Sequence, residues 1–176
     1  MTQPALLEAK GLVRRFKLPR ERPFTSAPVI AAVDDVSLTI EAGRSFGIVG
    51  ESGSGKSTLA RLVMALDTPD AGTVSLKGED LHALGPRALR RRRRDFQMVF
   101  QDPHGSLDPR HRIGRIVAEP LDALPELGRD ERRGRIAEAL AAVGLPGDAA
   151  DRYPHEFSGG QRQRIAISRA SSHGRL

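Results

Sequence analysis

The stretch Gly50-Glu51-Ser52-Gly53-Ser54-Gly55-Lys56-Ser57, followed by Thr58, decides how this chain is read. It meets every fixed position of GxxxxGK[ST], the phosphate-binding loop. Its flanks agree. Ser45-Phe46-Gly47-Ile48-Val49 is an apolar run of strand type, and Leu59 to Leu66 continues with helical spacing. A strand that feeds a glycine loop, which then opens a helix, is the arrangement phosphate binding needs. Glycines let successive backbone N–H groups curve around an anion, and the helix N-terminus adds the positive end of its dipole. In such a loop Lys56 supplies a point charge to the β- and γ-phosphates, and the Ser57 hydroxyl is a ligand to Mg²⁺.

The bulk properties bound the rest. At 176 residues and 39% hydrophobic content the chain is the size of one domain with a core. It has no cysteine, which excludes disulfides, thiolate metal sites and cysteine nucleophiles and suits a reducing compartment. No signal peptide is legible at Met1 to Ala5, and no run approaches the roughly 20 apolar residues of a membrane span, so a membrane role is expected to go through a partner. Lys and Arg number 28 against 22 Asp and Glu, a net charge of +6. A nucleic-acid surface is one reading of that excess, and solvated arginine-rich helix faces are the other. With aromatics at only 4%, platforms for stacking bases are scarce and the second reading is favoured.

Taken in order, strands are expected over Ala5–Phe16, Ile30–Ile40, Ser45–Val49, Thr73–Gly78 and Phe96–Gln101. Helices are expected after the phosphate loop and over Pro86–Arg94, Ile113–Leu121, Asp130–Val143 (with Asp130 as its cap) and Gln161–Ala170. The run Arg90–Arg94 cannot form an amphipathic stripe and reads as solvated surface. Ser158-Gly159-Gly160 opens the last helix, a second place where N–H groups could face an anion. Interleaved strands and helices argue an α/β fold with a partly parallel sheet.

The second glycine site, Phe157-Ser158-Gly159-Gly160-Gln161, lies about a hundred residues beyond the first, with Gln101 between them. This combination resembles the ATP-binding subunits of ABC transporters: Phe157–Gln161 is similar to their LSGGQ signature, Gln101 to their Q-loop glutamine and Phe16 to the aromatic that stacks on adenine. The finer resemblance is to the peptide-importing branch, the oligopeptide, dipeptide and nickel systems. Val49–Gly53, Val99–Arg110 and Arg152–Arg164 carry it. It implies a P-loop NTPase core of the ABC ATPase type with an N-terminal antiparallel β subdomain and a helical subdomain. On that pattern residues 1–176 are one incomplete nucleotide-binding domain, with the helical subdomain inserted at about residues 86–156. It further implies ATP and Mg²⁺ as cofactors. Phe16 would stack on adenine, although its position also suits a strand-end core residue. Gly50, Glu51, Ser52, Gly53, Ser54, Gly55, Lys56, Ser57 and Thr58 would hold the phosphates. Ser57 and Gln101 would reach the metal, and Lys56 and Gln101 would serve catalysis, although Gln101 also suits a polar group at a strand edge. Ser158, Gly159, Gly160 and Gln161 would close over ATP held by a second subunit.

By the same resemblance the partners are that second ATPase subunit, in a homo- or heterodimer, and transmembrane permease subunits, with no direct nucleic-acid partner. The place is the cytoplasmic face of the membrane, and the activity is ATP hydrolysis coupled to import of peptides or a related solute. The alternatives are a soluble ABC-type ATPase of translation or DNA repair and a non-hydrolysing nucleotide-binding fragment. After Arg169-Ala170 the family pattern continues with a strand ending in Asp-Glu, a loop aspartate and a switch histidine, none of which stands before Leu176. His173 is too early for that switch and reads as a tail residue. The expectation is a truncated cassette that binds nucleotide, hydrolyses little and is poorly stable alone.

Overall fold

The computed structural model describes residues 5–20, 26–93, 95–99, 105, 107–124 and 126–172. They form two compact units, Met1–Leu89 and Arg90–Leu176.

The first unit is built on a long antiparallel hairpin, β1 (Ala5–Lys17) and β2 (Val29–Glu41). With β3 (Ala71–Leu76) and the short β4 (Glu79–Asp80) it makes a sheet of order β2-β1-β3-β4, antiparallel throughout. Strict alternation would bury residues of one parity. Instead Ala9 and Leu12, three apart, both face the core. The register explains it: between the pairs Ala9–Leu38 and Leu12–Val36, β1 advances three residues and β2 only two, at Gly11 with φ 57°. Two more irregularities follow on β2, at Asp35 (φ 48°) and at Ala32, which is left over between the pairs Arg14–Val33 and Arg15–Ala31. Helix α1 (Lys56–Val63) packs Leu59 and Leu62 into a core with Leu12, Val33, Val74, Leu76 and Leu81.

Two expected strands do not form. Ser45–Val49 makes no ladder, with Val49 97% exposed, and Phe96–Val99 makes none either; Phe100 and Gln101 lie outside the described residues. An apolar run becomes a parallel strand only beside hydrogen-bonding neighbours, and neither stretch joins the described sheet β2-β1-β3-β4. The described sheet therefore has no parallel part.

Helix α2 (Pro86–Arg92) buries no side chain, as a run of arginines predicts, and stops two residues short of the expected Arg94. The second unit is helical. α3 (Ile113–Ala118) tightens into a 3₁₀ turn over Glu119–Ala123 at Pro120, α4 runs Arg129–Ala142, and α5 runs Gly159–Ser171. Their apolar faces meet in one core of Leu107, Ile113, Ile116, Val117, Leu140, Phe157 and Ile165, with Ile136 and Val143 against it. Gly128, not Asp130, caps α4. Its extended backbone (φ −64°, ψ 161°) turns the chain into the helix, and Asp130 and Glu131 fall in the first turn, where the dipole favours them. At the far end of α5 the buried Ser172 hydroxyl donates to the Val117 carbonyl at 3.0 Å and ties α5 to α3.

Candidate functional site

The loop from Gly50 to Gly55 owes its shape to two close approaches. A Cβ on Gly55 would stand 2.0 Å from the Ala32 carbonyl oxygen, and Gly55 has φ 90°, so both space and backbone exclude any side chain there. The oxygen it touches belongs to the bulged residue of β2. A Cβ on Gly50 would lie 2.8 Å from the Ser54 hydroxyl oxygen, so the loop closes on itself as well. Inside it the Lys56 ammonium donates to the carbonyls of Gly50 at 2.8 Å and Glu51 at 2.5 Å, and reaches the Ser54 hydroxyl at 3.4 Å. Glu51, Ser52, Gly53 and Ser54 are exposed, Ser57 is exposed in the first turn of α1, and Thr58 is half-buried beside it. α1 carries no acidic residue in its first turn and its N-cap glycine offers no side-chain cap, so its first N–H groups remain available to an external anion.

Phe16 sits on β1 opposite Ile30, two residues from the bulge at Ala32. β2 thus carries both neighbours: the partner of Phe16 and the carbonyl that seats Gly55. Phe16 as a whole residue is 39% exposed. Over one face of its ring, 4.9 Å from the centroid, lies the guanidinium of Arg14, the residue two before it on the same strand. Arg14 in turn donates to Asp67 and to Asp70, each at 3.1 Å. Those carboxylates stand in the turn that follows α1, where Leu66 N–H closes back on the Arg61 carbonyl and Ala65 takes φ 47°. Asp70 also accepts the Arg15 N–H at 2.6 Å, which with the Arg14 charge holds its carboxyl below the usual range. The residue pattern did not single out Arg14, Asp67 or Asp70. The available signal was the (i, i+2) placement of Arg14 and Phe16 on one strand face.

In the second unit Ser158 caps α5 through a reciprocal box. Its hydroxyl accepts the Gln161 N–H at 3.3 Å, and its own N–H donates to the Gln161 side-chain oxygen at 2.8 Å. Ser158, Gly159 and Gly160 are exposed, with open space around both glycines, while Phe157 is buried just before them. Arg152 covers the Phe157 ring at 4.6 Å, and Arg162 Nε donates to its carbonyl at 3.0 Å. Gln101 lies outside the described residues. Those residues hold no group of three or more His, Cys, Asp or Glu side chains fit for a metal ion. None of their helices is long and apolar enough to cross a membrane.

Residues 33–175 match the family model described as ABC transporter. The chain belongs to that family. Among the ABC transporter proteins it is 43% identical over 167 residues to the dipeptide transport ATP-binding protein DppF of Escherichia coli (strain K12), 95% of this chain and 50% of that one. It is likewise 43% identical over 165 residues to the di/tripeptide transport ATP-binding protein DppF of Pseudomonas aeruginosa (strain UCBPP-PA14), 94% of this chain and 51% of that one. The chain thus spans about half the length of the curated relatives it matches. Its fold matches the dimeric ABC transporter cassette MJ0796 with TM-score 0.83 at 32% identity, over 96% of this chain and 70% of that one. A structure of that cassette dimer bound to ADP and Pi matches with TM-score 0.82.

Proposed function

We propose that this chain is the nucleotide-binding part of an ATP-driven importer of peptides or a related solute. The observation that carries it is the loop at Gly50–Thr58, wedged against the Ala32 carbonyl at Gly55 and holding the Lys56 ammonium among its own carbonyls. The residues fit a nucleoside triphosphate with Mg²⁺. A cation, helix N–H groups without a side-chain cap and an exposed Ser57 hydroxyl belong to a loop with no room for a side chain at Gly55. Lys56 would hold β- and γ-phosphate oxygens, Ser57 would ligate the metal with Gln101, and the free face of Phe16 would take the base. Bound there, Mg²⁺-ATP supplies the phosphoanhydride whose cleavage powers transport.

The relatives' names extend the reading to the membrane: this chain would pair with a second ATPase subunit and dock on transmembrane permease subunits at the cytoplasmic face. Ser158, Gly159 and Gly160, exposed on α5, would close a partner's nucleotide site, with Gln161 holding their turn in shape. Residues of about 86–156 would be the helical subdomain of a nucleotide-binding domain that is incomplete within this chain. Titration calorimetry with Mg²⁺-ATP tests the core of this. Binding is expected and should weaken at least tenfold in Lys56→Ala; no heat at millimolar ATP would overturn it. For transport, deletion of the gene should abolish dipeptide uptake by intact cells, and the wild-type gene, but not Lys56→Ala, should restore it.

A further inference from the structure

We propose that Arg14 is the positioning residue for base recognition, a guanidinium clamped by Asp67 and Asp70 that backs one face of Phe16 and presents the other to a purine. The inference rests on the nucleotide reading of the phosphate loop and assigns it a residue that the motifs do not contain.

Both ends of α1 are pinned to the hairpin that carries Phe16. The helix starts at Gly55 against the bulged Ala32, and the turn beyond it delivers Asp67 and Asp70 to Arg14. Backbone bonds fix that turn from the other side. Asp70 N–H donates to the Val13 carbonyl at 2.8 Å, and the Asp70 carboxylate accepts the Arg15 N–H at 2.6 Å. Three consecutive residues of β1 therefore contact one aspartate. The same helix thus starts at the phosphate loop and, after about 12 Å, leads into the turn that clamps Arg14.

The Arg14 side chain is only 23% exposed. Two carboxylates fix its plane, whereas one would leave it free to swing. A guanidinium held 4.9 Å over one face of an aromatic ring restricts the ring and polarises it, which presets the opposite face for stacking on another π-system. Lysine carries the same charge without a plane, so the geometry asks for arginine. An ordinary strap between β1 and the turn after α1 would need the ion pairs alone; the stacked ring is what ties Arg14 to the ligand.

The test compares a ligand with a base against one without: Mg²⁺-ATP and Mg²⁺-tripolyphosphate, each titrated into the full chain. Arg14→Met should weaken ATP binding about five- to tenfold and leave tripolyphosphate within about twofold. In a Phe16→Ala background Arg14→Met should weaken ATP no further, because the platform it backs is gone. Equal loss of both ligands, or additive loss in the double variant, makes Arg14 a strap only and overturns the proposal. If Arg14→Met does not fold, Arg14→Lys decides. It keeps a cation for both aspartates, and ATP affinity should still fall while tripolyphosphate holds; wild-type ATP affinity in Arg14→Lys overturns the proposal. Failure of the wild-type chain to bind either ligand overturns the nucleotide reading and this inference with it. Binding of both with no selective loss removes Arg14 alone.

Discussion

α1 and α5 both open on turns of serine and glycine, yet they treat their unpaired first-turn N–H groups in opposite ways. At α5 the chain satisfies itself: Ser158 and Gln161 exchange hydrogen bonds across the N-terminus, and the buried Phe157 anchors the turn from below. At α1 the cap is a left-handed glycine with no side chain, seated on a carbonyl of another strand, and its N–H groups have no side-chain acceptor. A self-capped helix start keeps its shape whether or not anything docks on it. An uncapped one is completed by the anion it binds.

The largest expected effect lies where the two starts differ most. Gly55→Ala forces a Cβ to within 2.0 Å of the Ala32 oxygen at φ 90° and is expected to cost about 4 kcal/mol or more, read as a shift in urea midpoint. Gly159→Ala meets nothing within 4 Å in a helical turn and should change stability by no more than about 1 kcal/mol. Equal shifts in the two variants would break the contrast.

That contrast also marks how far the residues could be read. The glycine turns that open α1 and α5, and the helices α4 and α5 themselves, were legible because their determinants are local: glycine spacing and an apolar period, all within a few residues, although the cap of α4 fell on Gly128 rather than Asp130. The Arg14 clamp was not, because its partners stand 53 and 56 residues away, and only the folded turn after α1 brings them together. The seat of Gly55 was hidden for the same reason, since it depends on a bulge at Ala32 that no composition rule places. Ser45–Val49 does not form the expected strand because apolar character satisfies only half of what a strand needs, and among the described residues it joins no ladder.

Next in size is the anchor under the signature turn. Phe157→Ala should cost about 3 kcal/mol, toward the lower end for a buried aromatic because the stems of Arg152 and Arg162 can settle into the space. Its effect on ATP binding to this chain's own loop should be negligible, which separates the two glycine sites by function as well as by construction. Ser158→Ala removes one half of the capping box and should cost about 1 kcal/mol in thermal unfolding, with Gly159 and Gly160 left in place. A loss as large as that of Phe157→Ala would mean that the cap, rather than the core, places the turn.

The smallest effect is in acid. Asp122 is held below the usual carboxylate range by hydrogen bonds from Arg115 and then Arg132. Glu156 is held low chiefly by the Tyr153 N–H and Asp108 by Arg110, and in the first unit Asp70 is held low by the Arg15 N–H and Arg14. A carboxyl with a depressed folded-state pKa contributes stability above its unfolded value, near 4, and loses it as pH falls through the folded one. These groups therefore leave stability flat between pH 5 and 8 and erode it only below about 4, modestly, because each keeps about a third or more of its side chain in solvent. With three such carboxylates against one, the helical unit should open first. Hydrogen exchange followed from pH 5 down to 2 should show protection lost from α3 and α5 before β1 and β3, and Asp122→Asn should narrow that gap. Earlier opening of the hairpin would mean that the single Asp70 clamp outweighs the three surface pairs, and that the turn after α1 is the acid-sensitive point of the molecule.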